Sequence, residues 1–125
     1  MGARLSRLGI TPVQTHALVY LGERNGSAAQ TELTEFMRLK APTVNGILDR
    51  MEEKGLVLRR TDPRDGRRKL VTLTEKGQGL LEQTRLAFAE AEAVMRRGFT
   101  AQEEAQLQQM LARLKQNLKE DRDLC

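Results

Sequence analysis

Apolar residues recur at spacings of three and four along most of the chain, and this is the period of amphipathic helices. The first helix is predicted from Pro12 to about Arg24. Thr11 and Gln14 can form a capping box at its start, and proline suits the first helical position. The buried stripe of this helix would consist of Ala17, Leu18 and Leu21.

Two shorter helices follow, with a brief turn between them. The first is predicted over residues 30 to 37, with Leu33, Phe36 and Met37 facing inward. The second begins near Pro42 and ends at Gly55. The apolar residues on its inner face are Val44, Ile47, Leu48 and Met51. Two short helices joined in this way form a helix-turn-helix.

Next, the pattern changes to that of a β-hairpin. Residues 56 to 60 are extended in character, and residues 69 to 73 alternate between apolar and polar. Between them, residues 62 to 66 have the sequence Asp-Pro-Arg-Asp-Gly, which is typical of a turn. A hairpin after a helix-turn-helix is the wing of a winged helix, so we expect a mainly α fold with a small β-hairpin wing.

Two long amphipathic helices complete the chain. The first is predicted from Thr74 to about Arg97, and the second starts at a capping box formed by Thr100 and Glu103. The apolar face of the last helix carries Leu107, Met110, Leu111, Leu114 and Leu118. A single chain of 125 residues can hardly bury the apolar faces of both long helices, so we expect these helices to form a homodimer interface. An intramolecular helical pair is the alternative.

These patterns predict one structural domain with three parts. Residues 1–25 form a short N-terminal segment and the first helix, residues 26–76 form the winged helix-turn-helix lobe, and residues 77–125 form the flanking dimerisation helices.

Positive charge is concentrated in the predicted lobe. The net charge of the chain is +4, and residues 38 to 76 hold eleven basic and six acidic groups. Such a zone favours a polyanionic partner, although an ordinary solvated surface also produces one. A winged helix used for protein contacts without specific DNA binding therefore remains an alternative to a regulator that binds double-stranded DNA.

The helix that begins near Pro42 is the candidate recognition helix. Its outward residues would be Pro42, Thr43, Asn45, Gly46 and Arg50. Asn45 can form paired hydrogen bonds with adenine in the major groove. Thr43 can offer its methyl group to thymine or its hydroxyl group to a phosphate, and Gly46 allows close backbone approach.

The predicted wing is strongly basic. Between residues 59 and 69, two acids, Asp62 and Asp65, face six basic residues: Arg59, Arg60, Arg64, Arg67, Arg68 and Lys69. We expect the six positive groups to repel one another in the free protein. A DNA backbone or a narrow minor groove would relieve this repulsion.

A wing motif completes the pattern. Asp65-Gly66-Arg67 is followed after five residues by Leu73-Thr74, which matches D-x-R-x-x-x-x-x-L-T. With this motif and the order of its elements, the chain resembles the MarR family of transcription regulators over residues 10 to 118. The resemblance implies a homodimer on a pseudopalindromic operator, with Arg67 in the minor groove and Asp65 pairing nearby. It also implies a repressor that a small ligand releases.

The same resemblance implies a cleft for a small lipophilic or phenolic anion, bordered by Thr15, His16 and Val19. The family usually has a full helix before the position of Thr11, where this sequence has about ten residues. We therefore expect dimerisation to depend mainly on the C-terminal helices.

Other classes of protein find little support in the sequence. There is no recognisable catalytic set and no glycine-rich phosphate loop, so we do not expect an enzyme or a cofactor. The only His and Cys residues, His16 and Cys125, are too few for a structural zinc site. No apolar run approaches the roughly 20 residues that span a bilayer, so we expect a cytoplasmic protein that does not bind membranes.

Overall fold

The computed structural model describes residues 7–121 of the chain, and Cys125 lies outside this range. The described part contains five helices and three strands. In chain order the elements are α1 (Pro12–Glu23), β1 (Ser27–Ala29), α2 (Gln30–Met37), α3 (Ala41–Glu53), β2 (Val57–Asp62), β3 (Asp65–Leu73), α4 (Glu75–Met95) and α5 (Ala101–Glu120).

 These five helices, α1 to α5, and three strands are all the regular elements that residues 7–121 contain. The predicted mainly α fold with a β wing is therefore confirmed.

The start of α1 has the predicted capping box. The Gln14 backbone N–H donates to Thr11 Oγ1 at 3.2 Å, and the Thr11 N–H donates to Gln14 Oε1 at 3.3 Å. Lys54 Nζ, just after α3, donates to the same Gln14 oxygen at 2.9 Å. The cap therefore also links α1 to the end of α3.

The wing is part of a three-stranded antiparallel sheet of order β1-β3-β2. The short strand β1 was not predicted from the sequence. It pairs Ala28 with Val71 of β3, and the hydroxyl groups of Ser27 and Thr72 are 3.0 Å apart. Strands β2 and β3 are longer than predicted. The turn between them consequently shrinks to residues 63 and 64.

The core lies between α1, α2, α3 and the sheet. Its fully buried side chains include Leu18, Leu21, Leu33, Leu48, Met51 and Val71. The start of α4 joins this core at Gly77, where a Cβ atom would lie 2.1 Å from the backbone oxygen of Leu56. Only glycine allows the two backbone segments to approach so closely.

Phe36 does not face inward, so this part of the prediction was wrong. Its side chain is 41% exposed and stacks on the ring of Tyr20 at a centroid distance of 4.3 Å. The centroid of the His16 ring lies 4.7 Å from that of the Phe36 ring. Leu33 and Met37 already fill the narrow buried face of the eight-residue helix α2, which leaves Phe36 at its edge.

The chain forms two compact units, and the boundary between them lies between Ala89 and Glu90. In the second unit, the predicted capping box of Thr100 and Glu103 begins α5. The Arg96 guanidinium pairs with Glu92 at 3.1 Å and with Glu104 at 3.2 Å. The predicted boundaries at residues 25 and 76 remain a prediction.

Helix α5 has no buried residue. The five apolar side chains expected at a dimer interface are 43% to 60% exposed: Leu107, Met110, Leu111, Leu114 and Leu118. Within residues 7–121, no helix is both long and apolar enough to cross a membrane.

Candidate nucleic-acid interface

The outer face of α3 is presented as the sequence predicted. Val44, Ile47, Leu48 and Met51 are buried, so the opposite side of the helix points away from the core. Pro42, Thr43, Asn45 and Arg50 are exposed, and Gly46 is partly exposed. A helix that presents its N-terminal half in this way can enter a major groove.

The tip of the wing is organised by two aspartates. Asp62 Oδ1 accepts from the backbone N–H of Arg64 at 2.9 Å, and Asp65 Oδ1 accepts from that of Arg67 at 3.0 Å. Asp65 Oδ1 also lies 3.8 Å from Arg67 Nε, while the Arg67 side chain is 96% exposed. Asp65 therefore fixes the backbone at Arg67 and leaves its guanidinium group in solvent.

The six basic groups of the wing were expected to repel one another, with only Asp62 and Asp65 against them, but this was wrong for Arg59. Its guanidinium group contacts Asp49 and Glu52 of α3, the latter at 3.0 Å, and its side chain is only 19% exposed. Burial lowers the pKa of Arg59, but the hydrogen bonds to Asp49 and Glu52 outweigh it, and the pKa is raised overall. Arg59 thus links the wing to α3.

Arg68 is also paired within the lobe. It contacts Glu32 of α2 at 2.8 Å and Asp62 at 3.6 Å. Lys69 Nζ donates to Thr61 Oγ1 at 2.9 Å on the neighbouring strand. Arg64 and Arg67 are exposed at the tip, where an approaching polyanion meets them first.

A cleft of about 540 Å³ lies between α2, α3 and the wing. Its lining includes three residues predicted from the sequence to bind DNA, Asn45, Arg67 and Lys69, and also Gln30, which was not predicted to do so. Gln30 Nε2 donates to Asn45 Oδ1. The two residues are fifteen positions apart, and only the packing of α2 against α3 reveals that they meet.

The three residues expected to border a ligand cleft have different surroundings. Thr15 is buried, and its hydroxyl donates to the Thr11 backbone oxygen at 2.9 Å. Val19 packs against the core, whereas His16 is exposed beside Phe36. A ligand site here remains a prediction. Among residues 7–121, no group of His, Cys, Asp and Glu side chains is arranged to hold a metal ion.

Comparisons with known proteins match this geometry. A family model described as MarR family matches residues 8–68. A probable transcriptional regulator from Pseudomonas aeruginosa is 39% identical, with a TM-score of 0.69 over 85% of this chain and 79% of the other. MepR from Staphylococcus aureus, in a structure described as a MepR-DNA complex, is 32% identical, with a TM-score of 0.68 over 90% of this chain and 87% of the other.

A third solved structure, a MarR-family transcriptional regulator from Rhodococcus sp. RHA1, is 28% identical, with a TM-score of 0.73 over 87% of this chain and 76% of the other. Sequence identity, chain coverage and the winged helix all agree. The chain belongs to the MarR family.

Proposed function

We propose that this protein is a cytoplasmic, non-catalytic transcription regulator that binds double-stranded DNA sequence-specifically as a homodimer. The observation that carries the proposal is the cleft between α3 and the wing, which both Asn45 and Arg67 line. The exposed N-terminal half of α3 fits the major groove, and the exposed Arg67 guanidinium suits the adjacent minor groove.

The apolar face of α5 supports the homodimer. Five large apolar side chains at helical spacing would be buried by the same face of a second copy. A two-fold dimer presents two winged-helix lobes, and its operator would therefore be pseudopalindromic. Residues 77–125 supply the dimer contacts in this proposal, and residues 26–76 supply the DNA contacts.

The regulator would act as a repressor, and a small lipophilic or phenolic anion would release it from DNA. The support for this step is membership of the MarR family, together with the exposed ring of His16 on α1. The ligand would favour a dimer whose two lobes no longer match successive grooves.

Nuclease footprinting on the DNA that flanks the protein's own gene tests the proposal. We expect a protected pseudopalindrome whose affinity falls steeply with salt, because binding releases counterions from phosphates. A winged helix that serves protein contacts would protect no specific sequence. Its binding to a protein partner through apolar contacts would also be far less sensitive to salt.

A further inference from the structure

The hydrogen bond between Gln30 and Asn45 joins the two helices of the helix-turn-helix on their outer side. Gln30 is the first residue of α2, and Asn45 lies in the second turn of α3. The Gln30 side-chain N–H donates to the Asn45 side-chain oxygen. Both amides line the cleft that also contains Arg67.

The backbone at Gln30 is held firmly. Ala29, the preceding residue, is buried and pairs with Leu70 in the sheet. The Gln30 backbone oxygen accepts from Thr34 Oγ1 at 2.8 Å one turn along α2. Gln30 is therefore anchored at a strand end and a helix start, whereas Asn45 lies on an exposed helix face.

The direction of this bond decides what Asn45 presents to DNA. A primary amide has an acceptor oxygen on one side and a donor nitrogen on the other. Because Gln30 donates to Oδ1, the Asn45 oxygen is turned towards α2. The Nδ2 hydrogens of Asn45 lie on the other side of the amide and can donate from the exposed face of α3. Paired recognition of adenine requires both Oδ1 and Nδ2 at the base.

We propose that Gln30 is a positioning residue that orients Asn45 to donate hydrogen bonds to base acceptors. Guanine presents two adjacent acceptors, N7 and O6, in the major groove and is the base that best fits two donor hydrogens. The inference rests on the proposed function. It differs from the sequence-based expectation that Asn45 pairs with adenine.

The isosteric variant Gln30→Glu tests the proposal by reversing the polarity of the pair. A carboxylate accepts and cannot donate, so Asn45 Nδ2 would turn towards residue 30 and its oxygen would face the groove. Selection from randomised DNA duplexes should show the preferred base changing from guanine to one that donates, adenine or cytosine. The matched control Thr31→Glu places the same charge on the adjacent exposed residue, and it should weaken binding without changing the preferred base.

A double-mutant cycle on the selected duplex gives a second measurement. We expect Asn45→Ala to weaken binding by about tenfold, and Gln30→Ala to cost less than about twofold once Asn45 is already alanine. Thermal melts check that each variant is folded. An unchanged base preference in Gln30→Glu, or additive losses in the cycle, would overturn the positioning role alone. If the wild-type protein enriches no sequence, both this inference and the proposed function are wrong.

Discussion

Replacement of Arg67 by alanine separates the role of the wing in DNA binding from any role in folding. The Arg67 side chain is 96% exposed, and its ion pair with Asp65 is long, at 3.8 Å. Exposed pairs of this kind contribute about 0 to 1 kcal/mol to stability. The backbone N–H of residue 67 keeps its hydrogen bond to Asp65 in the variant. We therefore expect the free energy of unfolding to change by no more than about 0.5 kcal/mol.

The effect on DNA binding should be much larger and should depend on salt. Each neutralised phosphate contributes about 0.9 to the slope of log affinity against log salt, so two copies of Arg67 contribute about 1.8. Between about 50 and 200 mM salt, the affinity of Arg67→Ala should consequently fall about 12-fold less than that of the wild-type protein.

Fluorescence anisotropy with a labelled operator duplex, repeated over this salt range, measures both slopes. Arg85→Ala is a matched control, because Arg85 is also exposed and paired with one acid, Glu82, but lies on α4 outside the wing. The control should keep the wild-type slope. Equal slopes for Arg67→Ala and the wild-type protein would refute a phosphate or minor-groove contact by Arg67.

Four further predictions follow from the contacts described above. Asp65→Ala should weaken operator binding, because the backbone at Arg67 loses its anchor; tighter binding at matched salt would show that only the wing's net charge matters. Arg59→Ala should lower the free energy of unfolding by about 1 to 2 kcal/mol in urea titrations, because two acids of α3 lose their partner; an unchanged midpoint would contradict this. Leu111→Glu should dissociate the dimer in analytical ultracentrifugation, since it would bury an unpaired charge; a wild-type monomer at micromolar concentration would exclude the dimer itself. Phenolic or lipophilic anions should raise the melting temperature and release DNA, and His16→Ala should reduce both effects; a broad set of such compounds without either effect would end the ligand proposal.

Helix boundaries were predictable where the signal is local. The capping boxes at Thr11 and Thr100 and the left-handed glycine at Gly55 act within a few residues, and each has the role that its sequence indicates. The inward face of α3 also followed from its apolar spacing, which then placed Asn45 on the outside. These features depend on residues that are close together along the chain, and they can therefore be predicted from the sequence.

The features that were missed depend on distant neighbours. Strand β1 has only three small residues and no β-branched side chain, and its pairing with β3 is what makes it a strand. Charge counting along the wing overlooked the acids that α2 and α3 bring to Arg68 and Arg59. The contact of Gln30 with Asn45 likewise arises from helix packing and has no local signature.

The most direct test of the central claim is a competition between two DNA duplexes of equal length and base composition. One contains the footprinted sequence and the other a scrambled version, and both compete for the wild-type dimer at physiological salt. Sequence-specific regulators typically prefer their sites by a factor of about 10³ or more. We predict a preference of this size for the footprinted duplex, whereas equal affinity for the two duplexes would contradict the account.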